Sequence, residues 1–393
     1  MLKIIRDNIY KSIIVDEQIY LDLINTKEFQ RLRRIKQLSS TEFVFPTATH
    51  TRFNHCVGTF YVVDRFVSSE GLKNILKDDE KKLLKIAGLL HDIGHGPFSH
   101  NFESISTKAH ELYTVDIIKG NTQINKVLKN YSIDIESVCS LVMGKHANQI
   151  MNSIISSQID ADRFDYMMRD AFNVGVPYSN FDIDYILSNM YVKDNRIVFS
   201  IKAIHAIEDY FVGRYHMYEQ VYRHKTSLGF KYTTMFWLER IRDLVKENYN
   251  FKNSHSVEFL KELINNEEIS VEKFQLLDDH KLTNIMSEMI SEEDEILSDL
   301  SDRLINRRFH KVSFKLSKKE FAELKFKSTL DTKYYFKVMP YKEVAIYSDL
   351  PKNDPKSVVF VENGKLSTLS EKSRIINSSI NRKNSIKEVY IYA

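Results

Sequence analysis

The chain has 393 residues, and its 43% hydrophobic and 12% aromatic content excludes a disordered protein and allows a large buried core. It holds only 11 Gly and 6 Pro, well below the average usage of about 7% and about 5%, which excludes linker-rich and turn-dense all-β chains. The 56 Lys and Arg nearly balance the 53 Asp and Glu, and a net charge of +3 does not indicate a nucleic-acid or membrane binder, although nucleic-acid binding stays possible.

Cysteines and membrane signals are sparse as well. Cys56 and Cys139 cannot build a disulfide framework or a Cys-rich zinc site, and we expect each to be buried as a small apolar residue. The first residues carry charges inside any apolar run, so they do not read as a signal peptide. No window holds about 18 uncharged apolar residues. We therefore expect a cytoplasmic protein without a membrane span.

The N-terminal segment is predicted to contain short strands followed by a helix. Residues 1–20 hold short extended apolar runs. Asn25 can cap the helix that follows, and Glu28 stands three residues later, the spacing of a capping box. Apolar residues then recur at helical spacing from Phe29 to Leu38. We expect one helix from Asn25 to Leu38.

Helical periodicity continues through most of the chain. Helices are predicted at 55–70, 79–91, 111–119, 135–145, 147–170, 182–190, 203–223, 225–249 and within 257–310. Alternation with period 2 then predicts strands at 312–316, 333–339, 343–347, 357–361 and 388–392. The fold class is therefore mainly α, with a helical core and a smaller α+β C-terminal part. We expect a core, a helical extension and the C-terminal part at 1–250, 251–310 and 311–393.

The strongest chemical signal is a histidine cluster beside a turn rich in Gly and Pro. Six of the 13 histidines fall within residues 50–110, and the pair His91-Asp92 directly precedes this turn. Imidazole together with carboxylate suits a divalent metal such as Fe, Mn, Zn or Mg. One His-Asp pair cannot close such a site, so further ligands must come from other segments.

Two other segments offer candidate ligands. His55 lies upstream at the start of a predicted helix. Downstream, Asp162, Tyr166 and Arg169 share one face of another predicted helix. Apolar neighbours indicate that one edge of this face is buried, and a buried Asp needs a cation.

The chain also contains a series of motifs in a fixed order: FQRLR at 29–33, KQL at 36–38, TRFNH at 51–55, HDIGHGPFSH at 91–100, HE at 110–111, IDADRFDY at 159–166, YRHK at 222–225, LDDH at 277–280 and DRLINRR at 302–308. This set resembles the HD-domain phosphohydrolases. Within them it is most similar to the deoxynucleoside triphosphate (dNTP) triphosphohydrolases, including the catalytic core of members that also carry a SAM domain. The resemblance implies an HD-domain helical core and metal-dependent hydrolysis of dNTPs to deoxynucleoside and triphosphate.

The resemblance further implies roles for individual residues. It places the metal ligands at His55, His91, Asp92 and Asp162. It places the groups around the reacting phosphate, including an undecided proton donor, at His95, His100, Glu103, His110 and Glu111. It assigns contacts with the triphosphate and the sugar to Arg52, Arg163, Arg214, Lys225, Gln37, Leu38, Tyr166, Asp170 and Tyr222. A leucine or tyrosine packed against C2′ would leave no room for a 2′-hydroxyl.

A second, activating nucleotide site is implied at Lys3, Asn25, Gln30 and Arg33. Asn25 stands where guanine-activated members have Asp, and an amide accepts hydrogen bonds through only one oxygen. We therefore expect activation by a nucleotide without a unique requirement for guanine. The alternative is a permanently assembled enzyme in which Asn25 only caps its helix.

The sequence thus predicts a metal-dependent dNTP triphosphohydrolase, assembled as a homo-oligomer, either a dimer or a tetramer. Two alternatives stay open. The same site could cut another phosphoester, such as a nucleoside monophosphate, a signalling nucleotide or a nucleic-acid end. The fold could instead serve a non-catalytic binder of nucleotides or single-stranded nucleic acid, although the candidate proton donors argue against a pure binder.

Overall fold

The structure is a computed structural model that describes residues 3–342, 345–380 and 386–393. It is mainly helical with a small mixed C-terminal part, which confirms the predicted fold class. The α-helices are α1 Gln18–Ile24, α2 Lys27–Arg31, α3 Arg52–Ser68, α4 Asp78–Leu90, α5 His110–Lys119, α6 Gln123–Asn130, α7 Ile135–Val142, α8 Gln149–Ile155, α9 Ala161–Val174, α10 Ile183–Ser188, α11 Ile204–Met217, α12 Lys225–Lys246, α13 Ser254–Phe259, α14 Lys261–Asn265, α15 Val271–Phe274, α16 Asp279–Glu288, α17 Glu295–Ile305, α18 Lys318–Lys327, α19 Thr332–Tyr335, α20 Leu369–Lys372 and α21 Arg374–Ile380. Among the described residues, no helix combines the length and apolar character that crossing a membrane requires.

The strands form three small sheets. Their bounds are β1 Lys3–Asp7, β2 Lys11–Val15, β3 Met190–Lys193, β4 Arg196–Ser200, β5 Lys311–Ser313, β6 Phe336–Lys342, β7 Val359–Glu362, β8 Lys365–Thr368 and β9 Ile386–Tyr392. The strand orders are β1-β2, β3-β4-β7-β8 and β5-β9-β6. The hairpin of β3 and β4 was not predicted, and β4 pairs in parallel with β7 from the C-terminal part. Of the predicted strand 343–347, residues 343–344 lie outside the described residues and 345–347 are not in a strand.

The helix predicted from Asn25 to Leu38 is wrong in both of its bounds. Asn25 ends α1, and the N-cap of α2 is Thr26, whose hydroxyl accepts a hydrogen bond from the Phe29 backbone N–H. A 3-10 turn follows α2, and Ile35 is extended. The helix stops there because the chain pairs with a distant segment: the Arg52 backbone N–H donates to the Ile35 carbonyl at 2.9 Å.

The predicted helix 147–170 is two helices, α8 and α9, separated by an irregular turn. Asp160 caps α9 by accepting a hydrogen bond from the Arg163 backbone N–H at 2.8 Å. This cap begins a new helix direction, so Asp162 lies in the first turn of α9. The break was not visible in the periodicity because apolar residues continue through it.

The candidate metal ligands lie where α3 packs against α4 and α9. The contact with α9 is very close at Gly58, because a Cβ there would lie 1.9 Å from the Asp165 carboxylate and 2.3 Å from the Arg169 guanidinium. Glycine therefore allows α9 to bring Asp165 beside His55, one turn earlier on α3. One apolar core cluster contains residues from all three predicted regions, and the region boundaries themselves stay a prediction.

Candidate active site

Three helices deliver the proposed metal ligands to one point. His55 lies in the first turn of α3, which Thr51 and Asn54 cap reciprocally. His91 directly follows Leu90, the last residue of α4, and Asp162 lies at the start of α9. Each ligand therefore sits at a helix end that is fixed by its own apolar packing.

The donor atoms of these side chains face one another. His55 Nε2 lies 3.0 Å from Asp162 Oδ1 and 3.2 Å from His91 Nε2, and His91 Nε2 lies 3.5 Å from Asp162 Oδ1. Asp92 completes the set, with carboxylate oxygens 3.4 Å from His55 Nε2 and from His91 Nε2. His55, His91 and Asp162 offer donor atoms within 4.8 Å of one another, and with Asp92 beside them the two imidazoles and two carboxylates are a donor set of the kind that suits a divalent cation.

Buried partners behind the imidazoles fix which nitrogen faces this point. His55 Nδ1 donates to Asp165 Oδ2 at 2.8 Å, and His91 Nδ1 donates to the Gly88 carbonyl at 2.9 Å. The Arg169 guanidinium pairs in turn with the Asp165 carboxylate at 2.9 Å. In both histidines Nε2 is left as the atom aimed at the centre, which is the arrangement that metal-binding histidines require.

Electrostatics at this point favour charged groups. Burial alone would lower the pKa of His55, but hydrogen bonds with Asp162 and Asp165 outweigh it and raise the pKa to about 10. Burial would raise the pKa of Asp92, but the charges of His91 and Arg52 hold that pKa well below its usual range. Without a metal, the carboxylates therefore retain protons on the imidazoles, and a cation would compete with those protons.

A second cluster of side chains lies beside Asp92. The rings of His95 and His110 stack at 3.9 Å, and His110 Nδ1 donates to Glu103 Oε1 at 2.5 Å. His100 Nδ1 lies 3.3 Å from the same Glu103 oxygen. Nδ1 of the buried His95 has no hydrogen-bond partner among the described residues, whereas its Nε2 lies 3.3 Å from an Asp92 carboxylate oxygen. The three imidazoles of this cluster lie close together but differ in their solvent exposure and in their hydrogen-bond partners.

Both clusters border one cavity of about 440 Å³. From the residues singled out in the sequence, its lining includes Gln37, Leu38, Arg52, His91, Asp92, His95, His100, His110, Glu111, Asp162, Arg163, Tyr166, Asp170 and Tyr222. The lining found among the described residues does not include His55 or Glu103, but His55 contacts the lining residue Asp162, and Glu103 contacts the lining residue His110. Arg214 is half-buried with its guanidinium 5.6 Å from the Tyr218 ring, and Lys225 is exposed at the start of α12. The cavity lining found among the described residues includes neither Arg214 nor Lys225.

The two cationic lining residues are held by carboxylates. Arg52 is buried, pairs with Asp92 and donates from Nε to Ser99 Oγ at 3.0 Å. Arg163 pairs with Asp160, whose charge raises the pKa of this guanidinium well above its usual range. Both cations are therefore held at the cavity wall before any ligand binds.

One wall carries a chain of hydrogen bonds that the sequence analysis did not detect. The Tyr222 hydroxyl donates to Asp170 Oδ2 at 2.9 Å, and His50 Nε2 donates to Asp170 Oδ1 at 2.7 Å. Tyr222 ends a π-helical turn, Tyr218–Tyr222, which continues α11. His50 was missed as a site residue, although it belongs to the histidine cluster that the composition revealed.

Asp165 and Arg169 were noticed in the sequence without a role. Their spacing of four residues on α9 is the signal that pairs them. The partner that makes them part of the site, His55, lies 110 residues away in the chain and carries no such signal.

The residues of the implied activator site are only partly brought together. Arg33 Nε donates to Gln30 Oε1 at 2.8 Å, and its guanidinium lies 3.5 Å from the centre of the Phe53 ring. Gln30 Nε2 donates to the Ile24 carbonyl, next to Asn25. Lys3 lies in β1 opposite Val15, and no hydrogen bond or ion pair within the described chain joins it to the other three.

Comparison with known proteins places these features in a family. An HD domain model matches residues 52–170, and a model named HD associated region matches residues 181–233. The chain is 35% identical to the Bacillus subtilis protein named "Uncharacterized protein YwfO", over 99% of this chain and 92% of that relative. All four proposed metal ligands lie within the HD match.

Two further similarities concern a solved structure and an enzyme. A phosphohydrolase from Bacteroides thetaiotaomicron superposes over the whole of both chains with a TM-score of 0.86 and 27% identity. The deoxynucleoside triphosphate triphosphohydrolase SAMHD1 homolog of Dictyostelium discoideum is 32% identical over 280 residues, which cover 67% of this chain and 53% of that relative.

Proposed function

The chain belongs to the HD-domain phosphohydrolases, and on that premise we propose that it hydrolyses dNTPs to deoxynucleoside and triphosphate. The observation that carries the proposal is the single cavity, where the His-Asp cluster, two arginines and the Tyr222–Asp170 pair meet. This combination offers a metal-binding point, cations for a polyphosphate and a shaped apolar wall for a sugar. The similarity to the SAMHD1 homolog supports the same substrate class.

The metal would be held by His55, His91, Asp92 and Asp162. A divalent cation bound by such ligands lowers the pKa of a coordinated water and offsets negative charge on a phosphate. Its identity among Fe, Mn, Zn and Mg is not set by this donor set, because imidazole and carboxylate serve all four.

The chain's own residues provide binding and proton transfer. Arg52 and Arg163 would neutralise phosphate charge, and guanidinium groups suit contacts with two oxygens at once. Burial and the nearby Arg52 cation lower the pKa of His95 well below its usual range, which disfavours the imidazolium form that a general acid needs. His110 is the better candidate for protonating the leaving 5′-oxygen, because the Glu103 carboxylate holds its Nδ1 and leaves Nε2 directed toward Asp92.

Tyr222 and Leu38 would select a deoxyribose by shape. Replacing Tyr222 with Ala should raise ribonucleotide turnover relative to deoxyribonucleotide turnover by roughly 10–200-fold, the range that steric fit contributes. Tyr222→Phe is the matched control, because it keeps the ring and loses only the hydrogen bond to Asp170. Competing hydrolysis of a dNTP and its NTP measures the ratio, and an unchanged ratio in Tyr222→Ala would place the discrimination elsewhere.

We further propose a homo-oligomer with a nucleotide activator near Asn25, Gln30 and Arg33. Nucleotide bound at an interface would favour assembly by mass action. Rates on one dNTP at limiting concentration, with and without each other nucleotide, test this alongside the measured mass of the assembly. Strict dependence on GTP alone would contradict the argument from Asn25, and no effect of any nucleotide would leave a permanently assembled enzyme.

Product analysis tests the main proposal. The protein is stripped of metal with a chelator, reloaded with each divalent metal, and incubated with every dNTP and NTP. Release of triphosphate from dNTPs is the expected result. Release of orthophosphate or pyrophosphate, or turnover of other phosphoesters alone, would contradict it.

A further inference from the structure

A segment outside both matched family regions contacts the active-site loops. Residues 277–280 lead into α16, and the side chains of Asp278 and Asp279 are buried, with 7% and 4% exposure. Asp278 does what its position predicts: it caps α16 by accepting from the Lys281 backbone N–H, and it pairs with Arg34 at 2.5 Å. Asp279 has no such role in its own helix.

The Asp279 carboxylate instead binds two backbone segments at once. Oδ1 accepts a hydrogen bond from the Phe98 backbone N–H at 2.7 Å, and Oδ2 accepts one from the Lys36 backbone N–H at 2.9 Å. Burial raises the pKa of this carboxyl to about 6. Both oxygens of this buried carboxylate are thus satisfied by specific backbone donors, which fixes the position of Asp279 relative to both segments.

The Phe98 end of this contact has an unusual backbone. Phe98 and Ser99 have φ values of +56° and +51°, the left-handed region that residues other than Gly rarely adopt. Such conformations persist only where the surroundings hold them. The Asp279–Phe98 bond holds the strained turn between His95 and His100.

Other contacts link the same two segments. Ser99 Oγ donates to the Lys36 carbonyl at 2.7 Å. Arg31 donates from Nη1 to the His95 carbonyl and from Nε to the Leu277 carbonyl, at 2.9 and 2.8 Å. The loop with His95 and His100 is thereby fixed against the segment with Gln37 and Leu38.

We propose that Asp279 is a positioning residue of the active site, which sets the register between the loop of candidate proton donors and the segment of candidate sugar contacts. What the two segments do rests on the proposed function. The chemistry requires a carboxylate, because two backbone N–H groups need two acceptor oxygens, and an amide would face one of them with its own N–H. Misplacing a reacting group by about 1 Å can cost about 10²-fold in rate.

The test compares Asp279→Asn with Asp278→Asn. Both substitutions are isosteric and lie side by side at a buried helix start, and Asn is an acceptable N-cap at 278. We expect kcat for dNTP hydrolysis to fall by about 10–100-fold in Asp279→Asn and by less than about 3-fold in Asp278→Asn. Metal content should stay at the wild-type value in both, because no proposed ligand contacts either residue.

Amide hydrogen exchange provides a measurement that does not depend on activity. Peptides containing Lys36 and Phe98 should exchange faster in Asp279→Asn than in wild type, and at the wild-type rate in Asp278→Asn. If wild type releases no triphosphate, the proposed function fails, and the exchange comparison still decides the role of Asp279.

Ser99→Ala covers the case in which Asp279→Asn does not fold. It removes the Ser99–Lys36 bond between the same segments, together with the Arg52–Ser99 bond, and should lower kcat in the same direction by a smaller factor. Equal kcat losses in Asp278→Asn and Asp279→Asn, or unchanged exchange at Phe98 and Lys36 in Asp279→Asn, would overturn the proposal. An unchanged kcat in Ser99→Ala would do so where Asp279→Asn is unfolded.

Discussion

Two walls of the same cavity differ in how their polar groups are satisfied. The ligand wall is formed by His91, Asp92 and Asp162, which line the cavity, together with His55, which contacts them. Its imidazoles are held by Asp165 and the Gly88 carbonyl. The binding wall (Gln37, His95 and Arg163) has buried polar atoms that lack a hydrogen-bond partner among the described residues, namely Gln37 Oε1, His95 Nδ1 and Arg163 Nε.

This difference indicates separate tasks. A buried polar atom without a partner costs about 1–3 kcal/mol, so a fold retains it only where something outweighs the loss. The ligand wall is organised by the chain itself before any ligand binds. In the binding wall, Asp160 holds Arg163 in place, but several polar atoms are left without a partner from the chain, which agrees with the proposed entry of a polar substrate from that side.

The largest effect is expected from a substitution that removes a side chain of the ligand wall. Asp162→Ala removes a carboxylate that lies 3.0 Å from His55 Nε2. We expect bound metal and activity to be lost together, by more than the roughly 10–100-fold that accompanies removal of a residue behind a ligand. Elemental analysis and the triphosphate assay measure the two losses.

Asp184→Ala is the matched control, since this aspartate is 72% exposed and pairs with Arg65 at the surface. It should keep metal and activity. Full metal content in Asp162→Ala would show that Asp162 is not a ligand.

A smaller effect follows from weakening the residue behind His55. Asp165→Asn replaces the carboxylate that accepts from His55 Nδ1 and should weaken metal affinity by roughly 10–100-fold. The change also disturbs the buried Arg169, so some loss of stability should accompany it.

Asp7→Asn separates the two consequences. Asp7 pairs with Arg169 at 2.7 Å, and its hydrogen bonds in the described chain do not involve His55. It should lower the melting temperature without changing metal affinity, as measured by competition with a chelator. An equal loss of affinity in both variants would mean that Asp165 acts only through general stability.

The sequence analysis predicted correctly that side chains of the ligand wall lie close together, but it did not predict the backbone path of the binding wall. His55, His91 and Asp162 do meet. The helix ends near His55 and His91 were predicted from local patterns, whereas the start of α9 before Asp162 was not. The bend after Arg31 was missed, because pairing of Ile35 with Arg52 depends on a contact that periodicity cannot show. The roles of all these residues stay predictions.

Contacts between residues far apart in the chain were the least predictable feature of the site. Asp279 lies 181 residues from Phe98 and 243 from Lys36, and its motif differs little from an ordinary helix start. The pair Asp165 and Arg169 was not predicted, although its spacing of four residues is a local signal, whereas its link to His55 depends on the close approach at Gly58. Local chemistry was therefore readable, and the contacts that join segments were not.

The pH dependence of metal affinity tests whether His55 in the ligand wall is a metal ligand. The pKa of His55 is raised from 6.5 to about 10 in the metal-free protein. Its protonated form stabilises the metal-free fold fully below about pH 6.5, and this contribution is lost as the pH rises through about 10. A metal needs the neutral imidazole, so affinity should increase by up to about tenfold per pH unit between pH 7 and 9.

Calorimetry in two buffers of different ionisation enthalpy measures the protons released on metal binding. Release of at least one proton per metal at pH 7 is the expected result, because the pKa of His91 is raised as well as that of His55. The surface variant Asp184→Ala should behave as wild type. Affinity that does not change between pH 7 and 9 would show that carboxylates do not hold a proton on His55.

The smallest effect is expected from a substitution in the binding wall. Unlike Asp165→Asn and Asp7→Asn, this substitution should not lower the stability of the ligand-free protein. Gln37→Leu removes the unpartnered, buried Oε1 and keeps a side chain of similar size. The ligand-free protein should lose no stability and could gain some, because an unsatisfied acceptor is replaced by an apolar group. KM for the dNTP should rise by roughly tenfold, the value of one hydrogen bond to substrate.

Thermal denaturation and steady-state kinetics on the same preparation measure both quantities. A fall in melting temperature with an unchanged KM would mean that Gln37 serves the fold, and the contrast between the two walls would then not extend to this residue.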